Sequence, residues 1–133
     1  MPIENKQKEF YNSQYSDSEY AKGIEGREEA LGLKEFIEKY DLKDKKVLEI
    51  GCGRGAFQDL IEDWIGVDIS SEVTNFLHKP FKVAEAENLP FEDNSFDAIW
   101  SITTLEHVIN PEKALEEIIR VLKPDGVAYL APA

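Results

Sequence analysis

Val47-Leu48-Glu49-Ile50-Gly51-Cys52-Gly53-Arg54-Gly55 decides the fold of this chain: an apolar run holding one acid breaks abruptly into three alternate glycines. It reads as a strand feeding a ligand-binding turn. Glycine is required where the backbone takes positive φ or where a Cβ would collide with a ligand lying against the main chain, and three in five residues suggest both. The turn runs on into Ala56-Phe57-Gln58-Asp59-Leu60-Ile61, which predicts a short helix with its N-terminal amides toward the ligand.

Gly51, Gly53 and Ala56 also satisfy the G-x-G-x-x-[GA] pattern of dinucleotide-binding folds, so the glycines favour a nucleotide-like ligand without naming it. A tight strand-to-helix turn with no ligand would carry the same pattern. Downstream, Trp64-Ile65-Gly66-Val67-Asp68-Ile69-Ser70 is a second apolar run, ending in an acid seventeen positions after Gly51. In a doubly wound sheet, Asp68 falls beside the glycine turn, where its carboxylate would accept from a ribose diol through bonds of roughly 1.5–3 kcal/mol each. The same carboxylate would also suit the N-cap of a segment starting near Ser71.

Outward from these blocks the chain alternates strand and helix patterns. Leu31, Leu33, Phe36, Ile37 and Tyr40 suit one face of a helix, and Asp41 to Lys46 forms a polar turn into the first strand. A second helix is expected near Glu72–Leu77, a third strand at Phe81–Ala84 and a fourth at Phe96–Ser101. Asn110-Pro111-Glu112 supplies a cap, a first-turn proline and an early acid for a helix with a stripe of Leu115, Ile118, Ile119 and Leu122. Lys123-Pro124-Asp125-Gly126 should end it, and strand five follows at Val127–Leu130. This order predicts a Rossmann-like, doubly wound α/β fold: a mainly parallel sheet with helices on both faces.

The chain has 133 residues, enough for one domain, and 42% hydrophobic residues suffice for a single core. Residues 1–26 read as an N-terminal arm or lid, and 27–133 as the domain itself. The net charge of −12, from 27 acids against 15 bases, argues against nucleic acid or an anionic membrane as partner, since no basic stripe is available for phosphates. Cys52 is the only cysteine and excludes an internal disulfide; between glycines it reads as a small packed residue. His78 and His107 have no partner at metal-ligand spacing, so no metal is expected. With no apolar leader at Met1-Pro2-Ile3-Glu4-Asn5-Lys6 and no long apolar run, a cytoplasmic location is expected.

Two more blocks narrow the ligand. Residues 83–97 read Val-Ala-Glu-Ala-Glu-Asn-Leu-Pro-Phe-Glu-Asp-Asn-Ser-Phe-Asp and residues 98–110 read Ala-Ile-Trp-Ser-Ile-Thr-Thr-Leu-Glu-His-Val-Ile-Asn. Together with the first two blocks, and in the same order and spacing, they closely resemble the class I S-adenosylmethionine (SAM) dependent methyltransferases acting mostly on small molecules. The resemblance spans about Lys45 to Ala131. It implies that Glu49 and the backbone of Gly51, Cys52 and Gly53 hold the methionine end of SAM, that Asp68 takes the ribose hydroxyls, and that Ile69 packs on adenine. It further implies that Glu85, in a position usually held by aspartate, accepts from the adenine amino group, that the Ala86 amide meets the ring, and that Ser101 lies where backbone meets the methionine amino group. Tyr11, Tyr15 and Tyr20 fall in a segment that folds over the cofactor as a lid in similar enzymes, where Tyr20 with Arg27 would reach the methionine carboxylate or the acceptor.

The chemistry of the residues agrees. SAM carries a sulfonium and an ammonium against one carboxylate, which acids such as Glu49 complement better than they would a pyrophosphate. The expected activity is methyl transfer from SAM to a small-molecule acceptor, leaving S-adenosylhomocysteine. His107, past strand four, is the candidate base for an acceptor that must lose a proton, although a histidine that packs or caps locally would look the same. A SAM-binding module without turnover is the alternative, and an NAD-dependent oxidoreductase is a more distant one. Class I members usually continue beyond strand five, so strand five is expected to need cover from further chain or from a second copy.

Overall fold

Short apolar runs too brief for helices and too apolar for exposed strands must be buried on both faces, and parallel strands satisfy that demand. In the computed structural model, which describes residues 26–102 and 108–131, they do so as one five-stranded sheet. The elements are α1 (Gly26–Lys39), β1 (Val47–Ile50), β2 (Trp64–Asp68), a 3₁₀ turn (Ser71–Asn75), β3 (Phe81–Val83), β4 (Phe96–Ile102), α2 (Pro111–Val121) and β5 (Leu122–Ala131). The spatial order is β3-β2-β1-β4-β5, every pair parallel. The direction of winding therefore reverses between β1 and β4, and the C-terminal ends of these strands form the crevice where open α/β sheets bind ligands. No helix among the described residues is long and apolar enough to cross a membrane.

Alternation along the strands divides the core into two layers. Val47, Trp64, Ala98 and Trp100 pack under α1 with Leu33, Phe36 and Ile37. Leu48, Ile50, Val67 and Ile99 pack under α2 with Ala114, Ile118 and Val121. Helices thus cover both faces, as the doubly wound reading requires.

Several local expectations are corrected. Ala56–Ile61 is not a helix but a series of tight turns, with Gln58 N donating to Gly55 O and Leu60 N to Phe57 O. The buried side chain of Gln58 bonds backbone elsewhere instead: its Oε1 accepts from His78 N (2.9 Å) and its Nε2 donates to Phe76 O (3.1 Å), which ties the turn to the segment before β3. The second helix shrinks to the 3₁₀ turn at Ser71–Asn75, and β3 ends one residue early at Val83. Leu31 and Tyr40 are exposed, so only the middle of the α1 stripe is core. At the far end, Leu122 pairs at once with Phe96, and residues 123–126 stand opposite Asp97 before pairing resumes at Val127. The expected turn is a bulge inside β5, and Gly126 is needed in it because a Cβ would lie 2.9 Å from Lys123 O.

The stripe of α2 is also rotated from expectation. Asn110 does cap the helix, its Oδ1 accepting from Lys113 N at 3.2 Å, but the buried positions are Ala114, Glu117, Ile118 and Val121. Leu115 and Ile119 face outward. An inward glutamate is held by partners: Oε1 accepts from Leu89 N (2.8 Å) and Oε2 from Arg120 Nε (2.7 Å). Arg120 also donates to Leu89 O, Phe91 O and Asp93 Oδ1, so one ion pair fastens residues 89–93 to the helix.

The Arg120 guanidinium, with help from the Leu89 amide, holds the Glu117 carboxyl below its usual range against the opposing effect of burial. A depressed folded pKa stabilises the fold fully above the unfolded value near 4.5 and loses that contribution as pH falls below it. Glu117→Gln should therefore cost about 2 kcal/mol at pH 7 in urea unfolding, and the gap should narrow progressively below pH 4.5. A gap independent of pH would show that the ion pair is not its source.

Candidate functional site

The glycine turn is stitched to the end of β2 before any ligand is considered. Gly51 N (2.8 Å) and Cys52 N (3.0 Å) both donate to Val67 O, and Gly53 N donates to Asp68 Oδ2 at 2.9 Å. Gly51, Gly53 and Gly55 all have positive φ, the conformation that lets the chain double back this tightly. A Cβ at Gly55 would also come within 2.5 Å of the ends of the Leu77 and Gln58 side chains, which would have to shift. Three amides that would serve a phosphate cradle are thus already used within the protein.

Asp68 closes this arrangement with its other oxygen, Oδ1, which accepts from Ser70 N at 2.9 Å. A carboxylate has about four acceptor sites, so each oxygen keeps a lone pair for a further donor such as a hydroxyl. Asp68 thus serves the turn as well as lining the cleft.

The cleft itself, about 150 Å³, runs along the C-terminal ends of β1, β2 and β3 and is lined on one side by Val108 and Ile109. Its floor and walls are apolar, with Ile50, Val67, Ala84 and Ala86, and Ile69 stands 70% exposed at the rim, free to cover a planar ring. Among the described residues its ionisable lining consists of Asp68, Glu85 and Glu87, with no lysine or arginine. Such a lining has no partner for a pyrophosphate and complements a cation.

Of the residues singled out in the sequence, Gly51, Asp68, Ile69, Glu85 and Ala86 come together in this cleft. Glu49, Cys52, Gly53 and Ser101 do not line it. Glu49 is 2% exposed in the layer beneath α1, where Trp64 Nε1 donates to its Oε1 at 3.1 Å. Gly66, opposite Glu49 in the register, clears the path for that indole: a Cβ there would lie 2.5 Å from the Trp64 ring and 2.8 Å from Cys52 Sγ. The Ser101 hydroxyl donates to Ile50 O (3.1 Å) across β1 and β4, which leaves only its backbone for a ligand. Tyr20 and His107, with Tyr11 and Tyr15, lie outside the described residues, and Arg27 is placed only as part of α1. Glu87, Val108 and Ile109 were missed, although Glu87 repeats the alternation of Glu85 and so points to the same region.

Comparison with known proteins agrees with this geometry. The profile of the family described as a methyltransferase domain matches residues 48–130. The chain is 44% identical over 100 residues to the uncharacterized protein MJ1252 of Methanocaldococcus jannaschii, covering 71% of this chain and 39% of that protein. It is 36% identical over 105 residues to the demethylmenaquinone methyltransferase of Paenarthrobacter aurescens, covering 71% and 42%. Among solved structures, YcgJ of Bacillus subtilis superposes with a TM-score of 0.65 at 33% identity, covering 77% of this chain and 50% of the other. The chain spans about two fifths of the length of these two curated relatives.

Cys52 has no nucleophilic part in this site. Its thiol is buried, and burial, reinforced by the charges of Glu49 and Asp68, pushes its pKa up to about 12. Ellman's reagent at pH 8 should therefore leave Cys52 unmodified in the folded protein and label it promptly in urea. Rapid labelling without denaturant would mean that the glycine turn opens in solution.

Proposed function

The chain belongs to the methyltransferase-domain family whose cofactor is S-adenosylmethionine, and we propose that it moves the methyl group of that cofactor onto a small-molecule acceptor. The observation that supports this assignment is the cleft at the reversal of the sheet, lined among the described residues by three carboxylates and no lysine or arginine. Carboxylates that can accept from ribose hydroxyls and an adenine amino group suit the nucleoside end of the cofactor, whereas the pyrophosphate of a dinucleotide would find no cation there.

The residues present match the cofactor part by part. Asp68 would accept from the ribose hydroxyls with the lone pairs left over from Gly53 and Ser70. Ile69 would cover the adenine ring, Glu85 would accept from its amino group, and the Ala86 amide would meet a ring nitrogen. On the other side of the turn, Glu49, the Gly51, Cys52 and Gly53 backbone and the Ser101 backbone would face the methionine end, with Tyr20 and Arg27 folding toward its carboxylate. When bound, the cofactor supplies an already activated methyl group, so the protein needs mainly to align the acceptor and exclude water.

His107 is our candidate for the group that removes a proton from a hydroxyl or protonated amine acceptor. An acid-lined cleft in a chain of net charge −12 favours neutral or cationic acceptors over phosphates and nucleic acids.

Calorimetric titration with S-adenosylhomocysteine should show micromolar binding, with no heat from NAD as control. Binding of NAD alone would overturn the assignment. Once an acceptor is found, His107→Ala should lower kcat by roughly two orders of magnitude with little change in SAM affinity. Equal losses in both would remove His107 from the role of base.

A further inference from the structure

The two walls of the cleft come from segments distant in sequence, and one side chain joins them. Glu87, on the wall that follows β3, directs Oε2 to the amides of Ile109 (3.0 Å) and Asn110 (3.4 Å) on the opposite wall. We propose that Glu87 is a positioning residue for the cofactor's adenine end, its reach across the cleft setting the spacing between the 84–87 wall and residues 108–110. The inference rests on the cofactor assignment above and extends it to a residue whose contact is with backbone.

Both ends of this tie are anchored to the same helix, α2. Asn110 caps α2, and that helix carries the Glu117–Arg120 pair that fastens residues 89–93 immediately after Glu87. Glu87 therefore sits between a fixed segment and a fixed helix start. Ile109 is 97% exposed, so burial does nothing to hold it at the rim, and the hydrogen bonds from its own amide and its neighbour's are what place it there. Because Glu85 and Ala86 directly precede Glu87, a shift of the carboxylate's anchor would move the groups offered to the adenine edge. A cleft loosened at this point should hold the ribose at Asp68 yet discriminate poorly among bases.

Reach and charge can be separated by two conservative variants. In Glu87→Gln the amide oxygen still spans the cleft without charge, whereas in Glu87→Asp the charge remains but the side chain is one methylene short. The full-length protein and both variants would be titrated with S-adenosylhomocysteine and with S-inosylhomocysteine, in which hypoxanthine replaces adenine, and their thermal melts compared. Glu87→Asp should bind S-adenosylhomocysteine about tenfold more weakly, with a reduced preference for adenine, while Glu87→Gln stays within about threefold of the parent; melting temperatures should be close in all three. Equal behaviour of the variants, or loss in Glu87→Gln with retention in Glu87→Asp, would overturn the positioning role. Failure of the unmodified protein to bind S-adenosylhomocysteine would instead overturn the cofactor assignment, a result visible before either variant is tested.

Discussion

The Val67 carbonyl, accepting from Gly51 and Cys52 together, is the contact on which the functional end of the sheet depends. It makes the first turn of the fold a continuation of β2 as much as of β1. The chain can bend this sharply only with positive φ at alternate residues, which is why glycines occupy 51, 53 and 55. Once Asp68 has taken the next amide, the turn has little N–H left for an anion. A loop that resembles a phosphate cradle in sequence is thereby given the opposite preference, and the acids along the neighbouring strand ends reinforce it.

Both layers of the core contain a buried acid, and each is settled by a different means. Beneath α1, Glu49 receives the Trp64 indole, which reaches it because Gly66, on the same strand as Trp64 and opposite Glu49, leaves room. Beneath α2, Glu117 receives Arg120 and a backbone amide from a loop nearly thirty residues away. A carboxylate that cannot be left unpaired in an apolar layer forces its partners into one arrangement. The two acids therefore fix segments on either side of the cleft: the strand that starts the glycine turn and the loop that follows β3.

The strands, their order and the capped start of α2 were legible because their signals are local. An apolar run, a glycine stop or Asn110-Pro111 means the same wherever it occurs. What escaped depends on partners elsewhere in the chain. Hydrophobic periodicity placed Leu115 and Ile119 inward, but the network of Glu117 and Arg120 turns the helix so that a charged residue takes the buried position. The helix expected after the glycines gives way to turns as the Gln58 side chain bonds backbone near Phe76 and His78. Half of the candidate site was legible in the same sense. Asp68 was found from its place at the end of β2, and Ile69, Glu85 and Ala86 from the family resemblance, whereas Glu87, Val108 and Ile109 join the cleft only through contacts made after folding.

Charge then does selective work that shape alone would not. Apolar walls of alanine, valine and isoleucine would accept most flat rings. Three carboxylates within one partly enclosed space raise the local preference for positive ligands, because the low-dielectric walls limit screening by water. The same field acts on whatever shares the cleft with the cofactor, since an anionic acceptor approaching these strand ends meets repulsion before it meets any side chain. Under the proposed function, discrimination among acceptors would thus begin in the residues assigned to the cofactor, and a contact surface for the acceptor would refine only what the field already admits.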